Sequence, residues 1–297
     1  MKFGSVENPG EIDFTLPQDH PDTTKVLSKS KSKKLAIHIG CAKWNKTDLK
    51  NFYPKGTKDE LTYYSTQFNS IELNATFYGM PKKEQVIEWY NKTPSDFKFF
   101  PKLTNSISHF RRLNNVGALV EEYCNIVSNL KEKLGMTFLQ LHDNFKPKDF
   151  DKLVKVVEDF PKGIPLAVEV RNKEWLEEKE IADNLFKLLL KYGVTSVLVD
   201  SAGRRDLLHM RLTTPKTFIR YVGANHPTDY TRLDEWIERI ISWREAGLKE
   251  LNFFIHQNIE LASPLLSAYF TEQLNARLGT KIKIPATLIK PEPPVRK

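Results

Sequence analysis

Residues 165–171 read Pro-Leu-Ala-Val-Glu-Val-Arg, a short apolar run that ends in charged residues, and the recurrence of this pattern decides the fold. Apolar or alternating runs of this kind are typical of buried strands. Eight occur, at residues 36–40, 70–74, 97–102, 137–142, 165–170, 196–200, 218–221 and 251–256. Their average spacing of about 31 residues is the length of one strand–helix unit.

Amphipathic segments fill the intervals between the eight runs. Residues 116–134 form a helical pattern that stops at Gly135, and residues 180–192 form one that stops at Gly193. Glycine at these points is typical of a helix C-terminus. Strict alternation of strands and helices indicates an α/β protein with a parallel sheet. Eight units predict a single TIM-type (β/α)8 barrel or a close variant, with eight parallel strands inside and helices outside.

The predicted barrel domain spans residues 35–280 of the 297, and a polar segment flanks it on each side. Residues 1–34 form a polar N-terminal extension, which we interpret as a solvated leader with partial order where Ile12, Phe14 and Leu16 alternate. Residues 281–297 form a basic C-terminal tail that carries half of the net charge of +8. The barrel itself is therefore not strongly basic, which makes nucleic acid a disfavoured partner.

Composition also indicates where the protein works. No run approaches the roughly 18–20 apolar residues of a membrane helix, so no membrane partner is expected. The first ten residues lack the apolar core of a secretion signal. The two cysteines, Cys41 and Cys124, form no CxxC pair. We therefore expect a cytoplasmic protein.

Strand alternation predicts which side chains enter the barrel. In residues 165–171, Val168 and Val170 face the helices, so Glu169 and Arg171 point inward. The same alternation, together with Lys102 and Asp200 as the polar residues that end the third and sixth runs, predicts a ring of polar residues at the C-terminal strand ends, where barrel sites form. The ring comprises Glu72, Asn74, Lys102, His142, Glu169, Arg171, Asp200 and His256. The alternative is a self-satisfied network in which Glu169 pairs with Arg171 or Arg220, and Glu72 pairs with Lys102.

Several blocks in this order resemble the YecE-like family, known as domain of unknown function 72. The most specific block is Glu72-Leu73-Asn74-Ala75-Thr76-Phe77-Tyr78, and others lie at residues 40–44, 97–102 and 167–171. The resemblance covers residues 36–275, and it implies a TIM-barrel-like fold without an established activity. The chain departs from the family pattern at residues 41–43, at His142 and at His256.

The first functional hypothesis is an enzyme, a hydrolase, lyase or isomerase, that applies acid/base chemistry to a small polar or anionic molecule. Glu72 and Glu169 would be the proton-transfer pair, because neighbours can drive two carboxyl pKa values apart. Lys102 is the third catalytic candidate, and with Arg171 it would hold an anionic group. The predicted ligand-binding residues are Asn74, Arg171, Trp44, Tyr78, His142, Asp200, His256 and His109.

Two other hypotheses use the same barrel end. A divalent metal could be held by a mixed carboxylate and imidazole set, as in metal-dependent hydrolases, isomerases and endonucleases. The members of that set would be Glu72, His142, Glu169, Asp200 and His256. Lys102 and Arg171 would crowd such a cation, so the first hypothesis includes no cofactor. A non-catalytic binding protein would instead stack its ligand on Trp44 or Tyr78.

Overall fold

The computed structural model describes residues 4–29 and 34–288. Over these residues the chain forms eight strands and nine α-helices. The strands are β1 (Ala36–Cys41), β2 (Ser70–Leu73), β3 (Lys98–Pro101), β4 (Thr137–Gln140), β5 (Leu166–Glu169), β6 (Thr195–Ser201), β7 (Phe218–Gly223) and β8 (Glu250–Gln257). The helices are α1 (Pro21–Ser28), α2 (Glu60–Gln67), α3 (Lys83–Lys92), α4 (Gly117–Val127), α5 (Phe150–Glu158), α6 (Glu174–Glu177), α7 (Lys179–Tyr192), α8 (Thr228–Ala246) and α9 (Ser263–Leu278).

The strands form two parallel sheets with helices around them. Six strands pair in the order β1-β8-β7-β6-β5-β4, and β2 pairs with β3 in a second sheet. Each observed strand overlaps one of the eight predicted runs. The predicted α/β class and parallel pairing are therefore confirmed.

The two sheets meet at both of their edges. Between β3 and β4, the Gly135 N–H donates to the Phe99 carbonyl at 2.8 Å, and the Leu103 N–H donates to the Phe138 carbonyl at 2.9 Å. Between β1 and β2, the Asn69 side chain accepts from the Ile39 N–H at 2.9 Å and donates to the Ile37 carbonyl at 2.7 Å. An amide side chain thus replaces backbone pairing at the β1–β2 edge.

An aromatic cluster fills the space enclosed by the inner faces of both sheets. It contains Phe100, Met136, Phe138, Ala167, Val197, Val199, Phe218 and Phe254. On five of the strands, the residue two positions after a member of this cluster lies on the same face and is polar. These polar residues are Lys102, Gln140, Glu169, Arg220 and His256. Strand alternation therefore stacks a polar layer on an apolar layer.

Helix ends show two different uses of glycine. Gly193 ends α7 with φ 65°, which confirms the predicted C-terminus. The predicted end at Gly135 is wrong, because α4 ends at Val127 and a 3₁₀ segment continues to Lys133. A side chain at Gly135 would collide with the Phe100 ring, so close packing explains this glycine. None of the helices in residues 4–29 and 34–288 has the length and apolar character to cross a membrane.

Several residues of the described part of the N-terminal extension pack against the rest of the protein. Leu16 is buried, and its N–H donates to Glu235 at 2.7 Å. The Trp243 indole donates to Asp19 at 2.8 Å, and Arg211 pairs with Asp22 at 2.6 Å. The partial order predicted around Phe14 and Leu16 is present. Polar residues of the extension also meet partners on α8 and before β7, which the solvated-leader interpretation did not include. Residues 1–3, 30–33 and 289–297, which include most of the predicted basic tail, lie outside the described residues.

Candidate functional site

Polar side chains from six strand ends meet above the aromatic cluster. We call them the strand-end cluster, and it comprises Glu72, Asn74, Lys102, Gln140, Glu169, Arg171, Arg220 and His256. All except Gln140 and Arg220 were predicted as site residues. Each lies on a strand or within two residues of its end, so the sheet backbone fixes the position of its Cα atom.

Arg220 on β7 holds the two glutamates of the cluster together. Its Nε and Nη2 atoms donate to the two carboxylate oxygens of Glu72 at 2.9 and 2.8 Å. Its Nη1 atom donates to Glu169 at 2.8 Å. Both glutamates are fully buried, and Arg220 is only 6% exposed. The arginine therefore neutralises charges that would be costly to bury alone.

The other members extend the network outward from each glutamate. Asn74 donates to Glu72 at 2.7 Å, and the His256 Nε2 atom lies 2.9 Å from Glu72 Oε2. Arg171 and Gln140 donate to Glu169 Oε1 at 2.8 and 2.9 Å. Much of the self-satisfied network considered from the sequence is present, although Glu72 pairs with Arg220 and not with Lys102.

Both glutamates are held in the ionised form. Burial raises the pKa of Glu72, but Arg220 and His256 outweigh it and hold the pKa well below its usual range. Burial likewise raises the pKa of Glu169, and Arg220, Arg171 and Lys102 lower it to about 2. Neither carboxyl carries a proton at neutral pH. This state does not fit the predicted pair, in which one carboxyl donates while the other accepts.

Lys102 occupies a more apolar part of the cluster. Its Nζ atom donates to Gln140 at 2.8 Å and lies 3.9 Å from the centroid of the Phe77 ring. Burial and the nearby Arg220 charge lower the pKa of this amine to about 7. The amine is therefore partly uncharged near neutral pH.

Two cavities open beside the cluster. One of about 410 Å³ is lined by Trp44, Tyr78, Asn74 and Glu72, among others. The other, of about 270 Å³, is lined by Arg171, Arg220, His256 and Glu260, among others. Lys43 lines both cavities. A ligand above the cluster therefore meets an aromatic wall on one side and cationic groups on the other.

Asp200 does not lie in the ring where the sequence predicted it. Val197 and Val199 face the aromatic cluster, so Asp200 points to the opposite face of β6. There it accepts hydrogen bonds from the Trp236 indole at 2.7 Å and from Arg232 at 2.8 Å, and it pairs with Arg205. The predicted place of Asp200 in the ring is wrong, and the residue connects β6 to α8.

His109 and His142 lie next to the strand-end cluster as a pair. Their ring centroids are 5.0 Å apart, and Phe77 contacts the His109 ring at 4.9 Å. Burial and the neighbouring His142 lower the pKa of His109 to about 4. Phe77 thus connects the histidine pair to Lys102.

Of the five predicted metal ligands, the structure brings only Glu72 and His256 into contact. Glu72 and Glu169 lie on two sides of Arg220, His142 contacts His109, and Asp200 faces the helices. Within residues 4–29 and 34–288, no three His, Cys, Asp or Glu side chains lie close enough to share a metal ion. A cationic guanidinium between the two glutamates disfavours a second cation there.

Sequence reasoning missed the central position of Arg220. The alternation of apolar and polar residues in β7 could have predicted it, because the apolar neighbours Ile219 and Tyr221 pack on the helix side. Strand alternation then turns Arg220 inward. Gln140 carried the same signal between Leu139 and Leu141. Glu260, which lines the smaller cavity, follows β8 in a loop that has no such alternation.

The lowered carboxyl pKa values predict a specific response to acid. A carboxyl whose pKa is lower in the folded protein stabilises it above the unfolded pKa, and this contribution is lost as pH falls. For Glu169 we expect a loss of roughly 2–3 kcal/mol in the free energy of unfolding between about pH 5 and pH 2. Urea unfolding over this pH range measures it, and Glu169→Gln should have a shallower slope. The surface variant Glu88→Gln is the control, and equal slopes for wild type and Glu169→Gln would contradict the expectation.

Comparisons with known proteins agree with the sequence resemblance. The family model described as "Protein of unknown function DUF72" matches residues 38–289. UPF0759 protein YecE of Escherichia coli K12 is 28% identical over 272 residues, covering 84% of this chain and 97% of the relative. UPF0759 protein YunF of Bacillus subtilis 168 is 26% identical over 201 residues, covering 64% and 71%.

Solved structures show a similar fold. A DUF72 family protein of Thermotoga maritima MSB8 superposes with a TM-score of 0.67 at 24% identity, covering 82% of this chain and all of that one. One from Enterococcus faecalis V583 gives a TM-score of 0.66 at 19% identity, covering 83% and 98%. At these identities the likeness concerns the fold alone.

Proposed function

The chain belongs to the DUF72 family of proteins of unknown function, and we propose that it is an enzyme that transfers a proton on a small anionic substrate. In this proposal His256 is the proton-transferring residue and Glu72 is its orienting carboxylate. One observation carries it: the His256 ring contacts buried Glu72 at 2.9 Å and also lines the 270 Å³ cavity. The predicted roles are thereby revised, because His256 replaces the two glutamates in proton transfer.

The hydrogen bond to Glu72 assigns the two ring nitrogens of His256. An ionised carboxylate only accepts, so the imidazole Nε2 atom carries a hydrogen. The Nδ1 atom then remains for exchange with a substrate, and Glu260 Oε1 lies 3.8 Å from it. A buried carboxylate that orients a histidine and stabilises its protonated form is a recurring arrangement in acid/base catalysis.

The cationic side of the cavity supports an anionic substrate. Lys43, Arg171 and Arg220 line the same cavity as His256. Arg220 uses three of its five N–H groups on Glu72 and Glu169, and the other two remain for a ligand. Lys43 pairs with Asp48 at 3.1 Å near the surface, and an incoming anion would compete for this ammonium group.

We also infer that the eight strands close into a barrel. The hydrogen bonds between β3 and β4 and the Asn69 bridge between β1 and β2 support this closure. The strand-end cluster would then lie at the C-terminal end of the barrel. Enzymes with this fold place their active sites at that end.

A proton-exchange assay on pooled candidate substrates tests the function. Pools of small carboxylates and phosphorylated sugars are incubated with the protein in D₂O and followed by proton NMR for loss of C–H signals or new products. We expect a pool member to react and His256→Gln to slow the reaction about a hundredfold, the usual effect of removing a general acid or base.

His226→Gln is the matched control, because His226 follows β7 and is absent from both cavity linings. It should react at the wild-type rate. A reaction that proceeds equally fast with His256→Gln would refute the role of His256. Binding of a pool member without any exchange or turnover would reduce the site to a ligand-binding role.

A further inference from the structure

Lys102 is a buried amine that the proposed proton transfer does not use. The residue is 6% exposed, and its Nζ atom lies against the Phe77 and Phe138 rings, 3.9 and 5.9 Å from their centroids. Among residues 4–29 and 34–288, no carboxylate oxygen lies within 4.0 Å of Nζ. Most buried lysines are ion-paired, so this environment is unusual.

The hydrogen-bond partner of Lys102 suits a neutral amine. The Gln140 amide donates from Nε2 to Glu169 at 2.9 Å, which turns its oxygen toward Lys102 at 2.8 Å. An amide oxygen accepts from an amine as well as from an ammonium group, so the bond survives loss of a proton.

Charges around Lys102 come from several strands. Arg220 and Arg171 repel a positive charge on the amine, whereas Glu169 and Glu72 favour it. Burial, which removes water from the ammonium form, is the largest cause, and together with the two arginines it lowers the pKa of Lys102 to about 7. A lysine that is desolvated and next to another cationic group is the usual form of an amine nucleophile.

We propose that Lys102 forms an imine with an aldehyde or ketone, so that the substrate of this site is a small anionic carbonyl compound. This inference rests on the proposed function, because both use the strand-end cluster. The Nζ lone pair attacks the carbonyl carbon to give a carbinolamine. The C=N bond then forms as the oxygen leaves as one molecule of water, with one amine proton and one proton taken up from the solvent. The second amine proton stays on the nitrogen and gives the protonated imine. The protonated imine acidifies the adjacent C–H bond, which supplies the proton that His256 would remove.

Reductive trapping tests the imine directly. The intact chain is incubated at pH 7 with glycolaldehyde or pyruvate and sodium cyanoborohydride, then digested and analysed by mass spectrometry. We expect Lys102 to be labelled at least about tenfold faster than other lysines, because an ordinary lysine has a pKa near 10.4 and few neutral molecules at pH 7. Raising the pH from 6 to 8 should increase Lys102 labelling and then reach a plateau.

Lys133 and Lys98 are the controls. Lys133 is also buried beside an aromatic ring, but two backbone carbonyls bind its Nζ atom at 2.6 Å. Lys98 is the first residue of β3, the strand that Lys102 follows, and it lies at the end of β3 opposite to the strand-end cluster. Labelling of Lys102 no faster than labelling of these two lysines would overturn the inference.

Variants separate this inference from the proposed function. Lys102→Met and Lys102→Arg should lose the label, and their circular dichroism shows whether they fold. Trapping at Lys102 with normal exchange in His256→Gln would leave the imine and remove the role of His256. Absence of trapping together with slow exchange in His256→Gln would remove the imine alone.

Discussion

Arg220→Met should lower the free energy of unfolding by about 3–5 kcal/mol at pH 7, the usual effect of removing one partner of a buried ion pair. The substitution leaves Glu72 and Glu169 fully buried without the guanidinium that contacts both at 2.8–2.9 Å. Because methionine fills a similar volume, the decrease in the free energy of unfolding comes from the unpaired carboxylate charges and not from a cavity. Urea denaturation followed by circular dichroism measures it.

The pH dependence of the unfolding free energy of Arg220→Met shows whether unpaired carboxylate charge causes the loss of stability. Without Arg220, burial raises the carboxyl pKa values, so the two glutamates take up protons at mildly acidic pH. The deficit relative to wild type should therefore shrink as pH falls from 7 toward 5. Adding Glu72→Gln and Glu169→Gln to the variant should recover part of the loss. Arg277→Met, which removes an exposed ion pair with Glu238, is the control. A deficit below about 1 kcal/mol would contradict the central role of Arg220.

Asp200→Ala should also lower the free energy of unfolding by about 3–5 kcal/mol. It leaves the buried Arg232 guanidinium and the Trp236 indole without the acceptor that binds them at 2.8 and 2.7 Å. Because α8 contacts β6 through this carboxylate, we expect lower stability without a change in Lys102 labelling at temperatures where the variant is folded.

Asp206→Ala is the matched control for Asp200→Ala. Asp206 pairs with Arg204 at 3.0 Å near the surface, so its removal should change stability by no more than about 1 kcal/mol. If Asp200→Ala altered Lys102 labelling while stability stayed at the wild-type value, Asp200 would belong to the cluster after all.

The strands were predictable because their periodicity is local. The alternation in residues 165–171 predicts that Val168 faces the helices and that Glu169 points inward. In the structure Val168 packs in the core with helix residues, and Glu169 binds Arg220. The same pattern identified His256 on β8, whereas Lys102 was identified only as the polar residue that ends the third run. The side chain of a strand residue points to the face opposite to the side chains of its two chain neighbours. The sequence alone therefore predicts which face such a residue takes.

Other features depended on information that a single segment lacks. Residues 197–199 read Val-Leu-Val, and β6 is buried on both faces, so alternation could not tell which side Asp200 would take. The pairing of Arg220 with both Glu72 and Glu169 depends on how β2, β5 and β7 converge in space. The charge state of the glutamates follows from that pairing, which is why the acid/base roles needed revision.

The contacts of the N-terminal extension also constrain the order in which the chain can fold during synthesis. Leu16 bonds to Glu235, and Asp19 bonds to Trp243, more than 200 residues later in the chain. β1 pairs with β8, which starts at Glu250. These early segments must therefore leave the ribosome long before their partners do. Closing such long loops is slow and leaves apolar surface open meanwhile, so a nascent chain stalled before α8 should be a preferred client of chaperones.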